Sequence, residues 1–328
     1  MDKKIISTFM FSEPHEQELL WLKFNVEDEF ISECVIIEGV YTFQGKRKEK
    51  YLNLILSQPR FQKFIEKIHY IEFEDNYNFN YEPSFITLLK RKIKRWLNSN
   101  FGKSYDQVPY AELASFYAEI NQRGAALDYL KSKYSHDDIV ILCDADEIFD
   151  FNGEKGLELE GLLRTNSTPF YIRRDIYCYD FNNKTYRERF SPIVKLGDLK
   201  NIVSCHKVRH PSINSRRIVS SESRLAYEYT FCFSKDAILK KLTSFAHVTD
   251  LDERSVEFCL ENNISFVNPT KIDCAFKMDD VNYYELISQE KLDSPKFLID
   301  NFNQFRTGVV SLNYSDKRRI SNIEYIDN

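Results

Sequence analysis

The sequence predicts an α/β fold, and three observations predict it. Ile139 to Cys143 is a run of five apolar residues ending in Asp144, the pattern of a short strand buried on both faces. Ile5 to Phe11 is another apolar run, followed by Ser12-Glu13-Pro14, a turn that can start a helix at His15 or Glu16, and then by a second strand from Cys34 to Ile37. Ile68 to Phe73 reads as a third strand, and a helical stretch from Tyr110 to Lys133 delivers the chain to the acidic segment. Strands alternating with helices are the order of a sheet whose strands run parallel.

Leu19, Leu20, Leu22 and Phe24, with Trp21, make the first helix one that packs on the sheet. The second strand ends in Glu38, and an acid there can accept from the base or ribose of a nucleotide. It can equally be an ordinary carboxylate at a strand end, and the residues alone leave both readings open. Gly39 and Gly45 flank aromatics in a loop that continues into Lys46-Arg47-Lys48, which suits either an approach to phosphate or a solvated turn. Residues 84–97 form a basic amphipathic helix by pattern, with Phe85, Leu89, Ile93 and Trp96 opposite Lys90, Arg91, Lys94 and Arg95. A core-facing helix with a solvated basic side accounts for it most simply. Docking on an anionic membrane surface or a lipid-linked acceptor is the functional alternative.

After the acidic strand, Gly156 to Arg164 reads as helical. Phe170 to Tyr179 and Tyr186 to Lys195 form a hairpin around Asn182-Asn183, a wall suited to an acceptor site. Residues 198–223 are polar and carry His206, Arg209, His210, Arg216 and Arg217, so the expectation there is a mobile basic loop. Arg224 to Phe233 returns as a strand, a helix runs from Ser234 to about His247, another covers 252–262, and a polar tail follows 313.

Bulk properties narrow the class. A chain of 328 residues with 43% hydrophobic and 15% aromatic content builds a real core rather than a disordered tail. A formal charge of −5 gives no electrostatic footprint for nucleic acid. Cys34, Cys143, Cys178 and Cys232 stand in apolar, strand-like surroundings, which favours reduced thiols over a disulfide framework. Cys205, His206 and His210 make half of a zinc site with no second half at suitable spacing. No segment has the run of apolar residues that a membrane span needs, and the N-terminal run meets Glu13 too early for a signal peptide. The expectation is a cytoplasmic protein, peripheral at the inner face of the membrane if 84–97 docks there.

The chemistry concentrates in Asp144-Ala145-Asp146-Glu147. Charges placed where a core strand runs out meet solvent, a cation or a substrate, and ligand crevices of open α/β sheets lie at those strand ends. Two carboxylates with a small residue between them can approach one hard divalent ion and leave coordination sites for diphosphate oxygens. The competing reading makes Asp144 or Asp146 the cap of a helix beginning near Ile148.

The order of these pieces resembles glycosyltransferase family 17, whose members include the enzymes that add the bisecting β-1,4-linked N-acetylglucosamine to N-glycan cores, and many bacterial relatives. The resemblance is carried by Thr8-Phe9-Met10-Phe11 with Glu16 and Glu18; Val35-Ile36-Ile37-Glu38 with Tyr41-Thr42-Phe43 and Gly45-Lys46; Gln122-Arg123; Asp138 to Ile148; and Ser244-Phe245-Ala246-His247, over roughly residues 4–250. It implies a GT-A-type fold, a mixed nucleotide-sugar-binding sheet with helices on both faces. Residues 1–250 would be the transferase domain, with a donor half to about 150 and an acceptor half beyond it, and 251–328 a helical or irregular extension packed on it.

By that likeness Asp144, Asp146 and His247 hold Mn²⁺ or Mg²⁺, and Phe9, Glu38, Lys46 and Arg123 surround a nucleotide-sugar, UDP-linked in the family's manner and carrying N-acetylglucosamine or a related hexose. The acceptor would be a glycan or a lipid-linked glycan. An inverting displacement needs one general base, and Glu147, Asp175, Glu188 and Glu228 are the candidates. The chain departs from the family where Arg123 is followed by Gly124, where Leu225 to Tyr229 lacks a Trp-His pair, and where 84–97 is inserted. Two other classes compete. A haloacid-dehalogenase-type phosphohydrolase also places Asp-x-Asp after a strand, but it requires Thr or Val at the position of Ile148 and a motif near the start of its domain. A nucleotide- or glycan-binding module on a degenerate transferase fold needs no base at all.

Overall fold

Residues 3–74, 110–211, 217–219, 223–244, 253–261, 284–287 and 289–306 are described by the computed structural model. The expectations for 84–97, for His247 and for the tail after 313 lie outside the described residues.

The first half of the chain builds a parallel sheet. Strand β1 (Ile5–Phe11), buried along its whole length, sits between β2 (Glu33–Gly39) and β4 (Ile139–Leu142), both parallel to it. Strand β3 (Ile68–Phe73) runs parallel outside β2. Helix α1 (Gln17–Glu27) follows a turn that begins at Pro14. A short α2 (Leu52–Leu56) precedes β3. The two faces of this half are covered by different helices. Ile139 and Ile141 of β4 pack with Leu20 and Phe24 of α1. Val140 and Leu142 pack with Leu127 and Leu130 of the helix before β4. That alternation is why β4 is apolar at every position.

The predicted single helix over 110–133 is two helices, α3 (Tyr110–Gly124) and α4 (Ala126–Lys133), with a turn in which the Ala125 N–H donates to Gln122 O at 3.1 Å. The break falls at Gly124, the weakest helix former of the stretch.

The second half is antiparallel or mixed. Strand β5 (Glu147–Phe149), helix α5 (Glu154–Thr165), strands β6 (Phe170–Cys178) and β7 (Asn183–Lys195), helix α6 (Ile202–Arg209), the two-residue β8 (Ile218–Val219) and β9 (Ala226–Thr230) follow in order. With β10 (Tyr284–Leu286) on β7 and β8 on β6, they complete a ten-stranded sheet of order β3-β2-β1-β4-β7-β6-β9-β5. Strand β7 is antiparallel to both β4 and β6, while β9 is parallel to β6. The chain is therefore mixed α/β around one mixed sheet.

Two expectations are corrected here. Residues 202–209 are not loop but α6, started by a capping box in which Asn201 accepts from Ser204 N and Ser204 Oγ accepts from Asn201 N. No helix begins at Ile148. That residue lies in β5, which pairs antiparallel with β9, so neither Asp144 nor Asp146 is a helix cap.

Helices α7 (Lys235–Ser244) and α8 (Glu253–Glu261) follow β9. The described C-terminal pieces, α9 (Lys296–Asp300) and α10 (Phe302–Arg306), bring Phe297 and Phe305 against Trp21 of α1, with ring centroids at 5.3 and 5.4 Å. Among the described residues, no helix is long and apolar enough to cross a membrane.

Candidate functional site

Strand β1 connects to β2 on one side and borders β4 on the other, so the sheet's order reverses at β1. A crevice opens at the C-terminal ends of strands flanking such a reversal. Into it β4 delivers Asp144-Ala145-Asp146. The chain turns back at once: the Glu147 N–H donates to Asp144 O at 3.1 Å, and the Tyr229 N–H to Asp146 O at 2.9 Å. Ala145 is buried, and the turn leaves the two flanking carboxylates on the cleft.

The turn is braced from behind by a fully buried ion pair on α1. Lys23 Nζ lies 2.7 Å from Glu27 Oε1 and donates to Glu147 O at 2.6 Å, and Glu27 Oε1 accepts from Phe149 N at 3.1 Å. Burying such a pair is tolerable because both partners also take up backbone groups of β5.

Around the turn runs an alternating chain of charges. Arg123 of α3 gives Nη2 to Glu119 at 2.9 Å and sets Nη1 2.8 Å from Asp144 Oδ1. Arg209, at the end of α6, donates to the other oxygen of Asp144, to both oxygens of Glu147 and to Leu142 O at 3.1 Å. Arg174 of β6 lies 2.8 Å from Glu147 Oε1 and donates through Nε to Glu228 Oε2 at 2.8 Å, and Arg189 of β7 reaches Glu228 Oε1 at 3.2 Å.

The two cleft aspartates are thereby set apart. Burial alone would raise the Asp144 carboxyl, but the guanidiniums of Arg123 and Arg209 outweigh it and hold the group well below the usual carboxylate range. For Asp146, burial dominates; Lys241 opposes it, Glu228, Asp144 and Glu147 reinforce it, and the group is pushed up to about 7. Glu228 follows Asp144: Arg174 and Arg189 override its burial and bring it down to about 2. His15 is driven down to about 3 by burial and by Lys241 and Lys240, so it stands in the cleft as a neutral imidazole.

The cleft encloses about 80 Å³. Among the described residues, its lining carries five carboxylates, Glu13, Glu16, Glu119, Asp144 and Asp146, against two cations, Arg123 and Lys241. Within the described residues no group of three or more His, Cys, Asp or Glu converges as a metal cluster.

Of the residues singled out in the sequence, Asp144, Asp146 and Arg123 come together on the cleft, with Glu147 directly behind them. Glu228 is buried beyond Arg174. The others stand apart. Phe9 lies in the core with Lys23 Nζ 4.9 Å from its ring centre. The Glu38 carboxylate is fully buried and spent on Tyr51 N at 2.8 Å, Leu52 N at 3.3 Å, Tyr70 Oη at 3.1 Å and Lys48 Nζ at 3.3 Å. Lys46 is exposed in a turn closed by Thr42. Asp175 pairs with Lys184 and Arg224, neither of which lines the cleft. Glu188 belongs to β7, and its side chain lies outside the described residues.

The residues that sequence reasoning missed are the cations: Arg209, Arg174, Lys23 and Lys241. Arg209 was legible only through the Asn201-x-x-Ser204 cap. Lys23 and Glu27 were legible as opposite charges one helical turn apart inside an otherwise apolar helix. The chain matches no model of a known protein family, and no curated protein matches it.

Proposed function

We propose that this chain is a metal-dependent glycosyltransferase of the GT-A type, which moves a sugar from a nucleoside-diphosphate donor to a glycan acceptor. The single observation that carries this reading is the charge of the cleft at the end of β4. Even with Arg209 on Asp144 and Lys240 3.0 Å from Glu13, the five carboxylates of the lining outnumber the cations that face them, which disfavours a diphosphate. Asp146, pushed up to about 7 by burial and by three neighbouring acids, is a carboxylate short of positive charge. A divalent ion resolves both problems, since it satisfies the acids and bridges them to phosphate oxygens.

The residues present fit such an ion. Asp146 is the less encumbered ligand, with Lys241 Nζ 3.4 Å away. Asp144 has each oxygen on a guanidinium but keeps a second lone pair on each for coordination. When bound, Mn²⁺ or Mg²⁺ supplies Lewis-acid stabilisation of the departing nucleoside diphosphate. The chain's own part is orientation. Arg123 and Arg209 fix the Asp144 carboxylate, and Lys23 and Glu27 fix the turn that carries Asp146. The sheet order supports the GT-A reading, because it places the acidic turn beside the crevice formed by β1 and β4.

A uridine-linked donor, N-acetylglucosamine or a related hexose as the sugar, an inverting course and a role in building a surface glycan rest on the resemblance to glycosyltransferase family 17. Glu147, Asp175 and Glu228 each spend carboxylate oxygens on cations, and none of the three lines the cleft. The same occupation tells against a phosphohydrolase, whose nucleophile at Asp144 would need an oxygen clear of guanidinium.

Calorimetric titration with nucleoside diphosphates and nucleotide-sugars, with and without Mn²⁺, tests the reading on the wild type and on Asp146→Ala. Metal-dependent binding that the substitution abolishes is the expected result. Failure of every nucleotide to bind with Mn²⁺ present would remove the donor site. Binding without turnover on any glycan acceptor would leave a nucleotide-binding module.

A further inference from the structure

Two cations line the cleft among the described residues, and they are held very differently. Arg123 spends both terminal nitrogens at short range, on Glu119 at 2.9 Å, on Cys143 O at 3.1 Å and on Asp144 at 2.8 Å. Lys241 has only a long hydrogen bond in the cleft. Its ammonium lies 3.4 Å from Asp146 Oδ2 and 3.7 Å from Glu16 Oε1, over the rings of Phe231 and Phe233 with centroids at 5.5 and 5.1 Å. Charge-assisted bonds of this kind settle at about 2.7–2.9 Å, and the buried Lys23 achieves that with 2.7 and 2.6 Å contacts.

Lys241 is thus a nearly enclosed ammonium, with side-chain exposure of 13%, held by one long hydrogen bond to Asp146 and a longer approach to Glu16. Glu16 lies farther from it and has a second partner, since Glu16 Oε2 accepts from Ser12 N at 2.9 Å. Asp146 is the nearer partner, and no other cation is paired with it among the described residues.

We infer that Lys241 is a displaceable counter-charge, neutralising Asp146 while no divalent ion is bound and moving onto a phosphate of the nucleotide when the ion takes its place. The inference rests on the donor-site reading above and adds to it the residue that contacts the diphosphate. An ion at Asp146 would stand within a few ångströms of the ammonium, and like charges at that range in a poorly solvated cleft repel strongly. The diphosphate brings negative charge to the same place. A lysine suits the exchange because its ammonium is a compact charge with three rotatable donors on a flexible stem, able to change partners without a fixed fork geometry. Helix α7 itself need not move.

Two consequences of opposite sign follow, which a merely structural lysine would not produce. Titration of the full chain with MnCl₂ alone, and then with UDP, GDP, dTDP and ADP in saturating Mn²⁺, is compared for the wild type, Lys241→Gln and Lys241→Arg. Lys241→Gln is expected to bind Mn²⁺ about threefold or more tighter, because a competing charge is gone. It is expected to bind the preferred nucleoside diphosphate about tenfold more weakly, the usual scale for a lost charge-assisted bond. Lys241→Arg keeps the charge and stays near the wild type for the nucleotide.

The wild type supplies a measurement that needs no substitution. Labelling of Lys241 by an amine-acylating reagent, read by mass spectrometry, rises with Mn²⁺ alone and falls when the nucleotide is added. Weaker Mn²⁺ binding by Lys241→Gln, unchanged nucleotide binding, or labelling insensitive to Mn²⁺ overturns the inference while the donor-site reading stands. A wild type that binds neither Mn²⁺ nor any nucleoside diphosphate overturns both.

Discussion

Arg209 closes over Asp144: the last residue of α6 donates to a carboxylate oxygen at the end of β4, although 65 positions separate them. The same guanidinium holds Glu147 and the carbonyl of Leu142, so one side chain ties the end of β4 to the start of β5. A cation at a helix C-terminus is also favoured by the helix dipole. The acidic turn is therefore shaped by a residue far outside its own segment.

Arg209→Met is expected to destabilise the chain by about 3–5 kcal/mol, the usual cost of removing one partner from a buried ion pair and leaving the other in place. The comparison is of urea unfolding free energies. A loss below about 1 kcal/mol would show that Arg123 and Arg174 alone satisfy Asp144 and Glu147.

Gly124 sets how closely α6 approaches α3. A Cβ there would lie 2.7 Å from Ile202 Cγ1, closer than side chains pack. Gly124→Val should cost about 1–3 kcal/mol through overpacking, and Ile202→Ala in the same chain should recover part of it. Thermal melts of the two single variants and the double variant give the coupling. Additive effects would mean that the helices separate without strain.

Glu38 distinguishes a structural carboxylate from a nucleotide ligand. Its oxygens take up the backbone N–H groups of Tyr51 and Leu52 at the start of α2 and the Tyr70 hydroxyl. Glu38→Ala should lower stability by about 1–3 kcal/mol by leaving buried donors unpaired, with nucleotide affinity unchanged in the folded protein. A selective loss of nucleotide binding with stability intact would return Glu38 to the donor site.

Glu33 gives the fold a dependence on acid. Burial would raise its carboxyl, but Lys4 at 2.6 Å, Tyr134 at 2.7 Å, Lys133 at 2.9 Å and the His69 ring outweigh this and bring it down to about 2. A folded-state value depressed below the ordinary 4.5 stabilises the native state above that pH, and the contribution is lost as pH falls from 4.5 toward 2. The difference in urea midpoint between the wild type and Glu33→Gln should be constant from pH 7 to about 5 and shrink below it. A difference that persists at pH 2 would assign the effect to packing.

The sequence by itself determined the strands of the parallel half and the placement of the acids. Runs such as Ile139 to Leu142 and Val35 to Ile37 are apolar at consecutive positions, and that pattern is local, so the alternation of strand and helix and the emergence of Asp144 and Asp146 at a strand end could be read directly. What opposes those acids could not. Arg123, Arg174, Arg209 and Lys241 come from α3, β6, α6 and α7, and they meet because the sheet sets β4, β7, β6, β9 and β5 side by side in that order. A basic residue in a polar stretch has no periodicity that reveals a buried partner. Arg209 therefore read as part of a loop, and Glu38 read as open to a ligand until Tyr51, Leu52 and Tyr70 were seen to fill its coordination. Local pattern fixes where a charge leaves the core, whereas long-range packing decides which charge answers it, because ion pairing acts through space between residues that the chain order keeps apart.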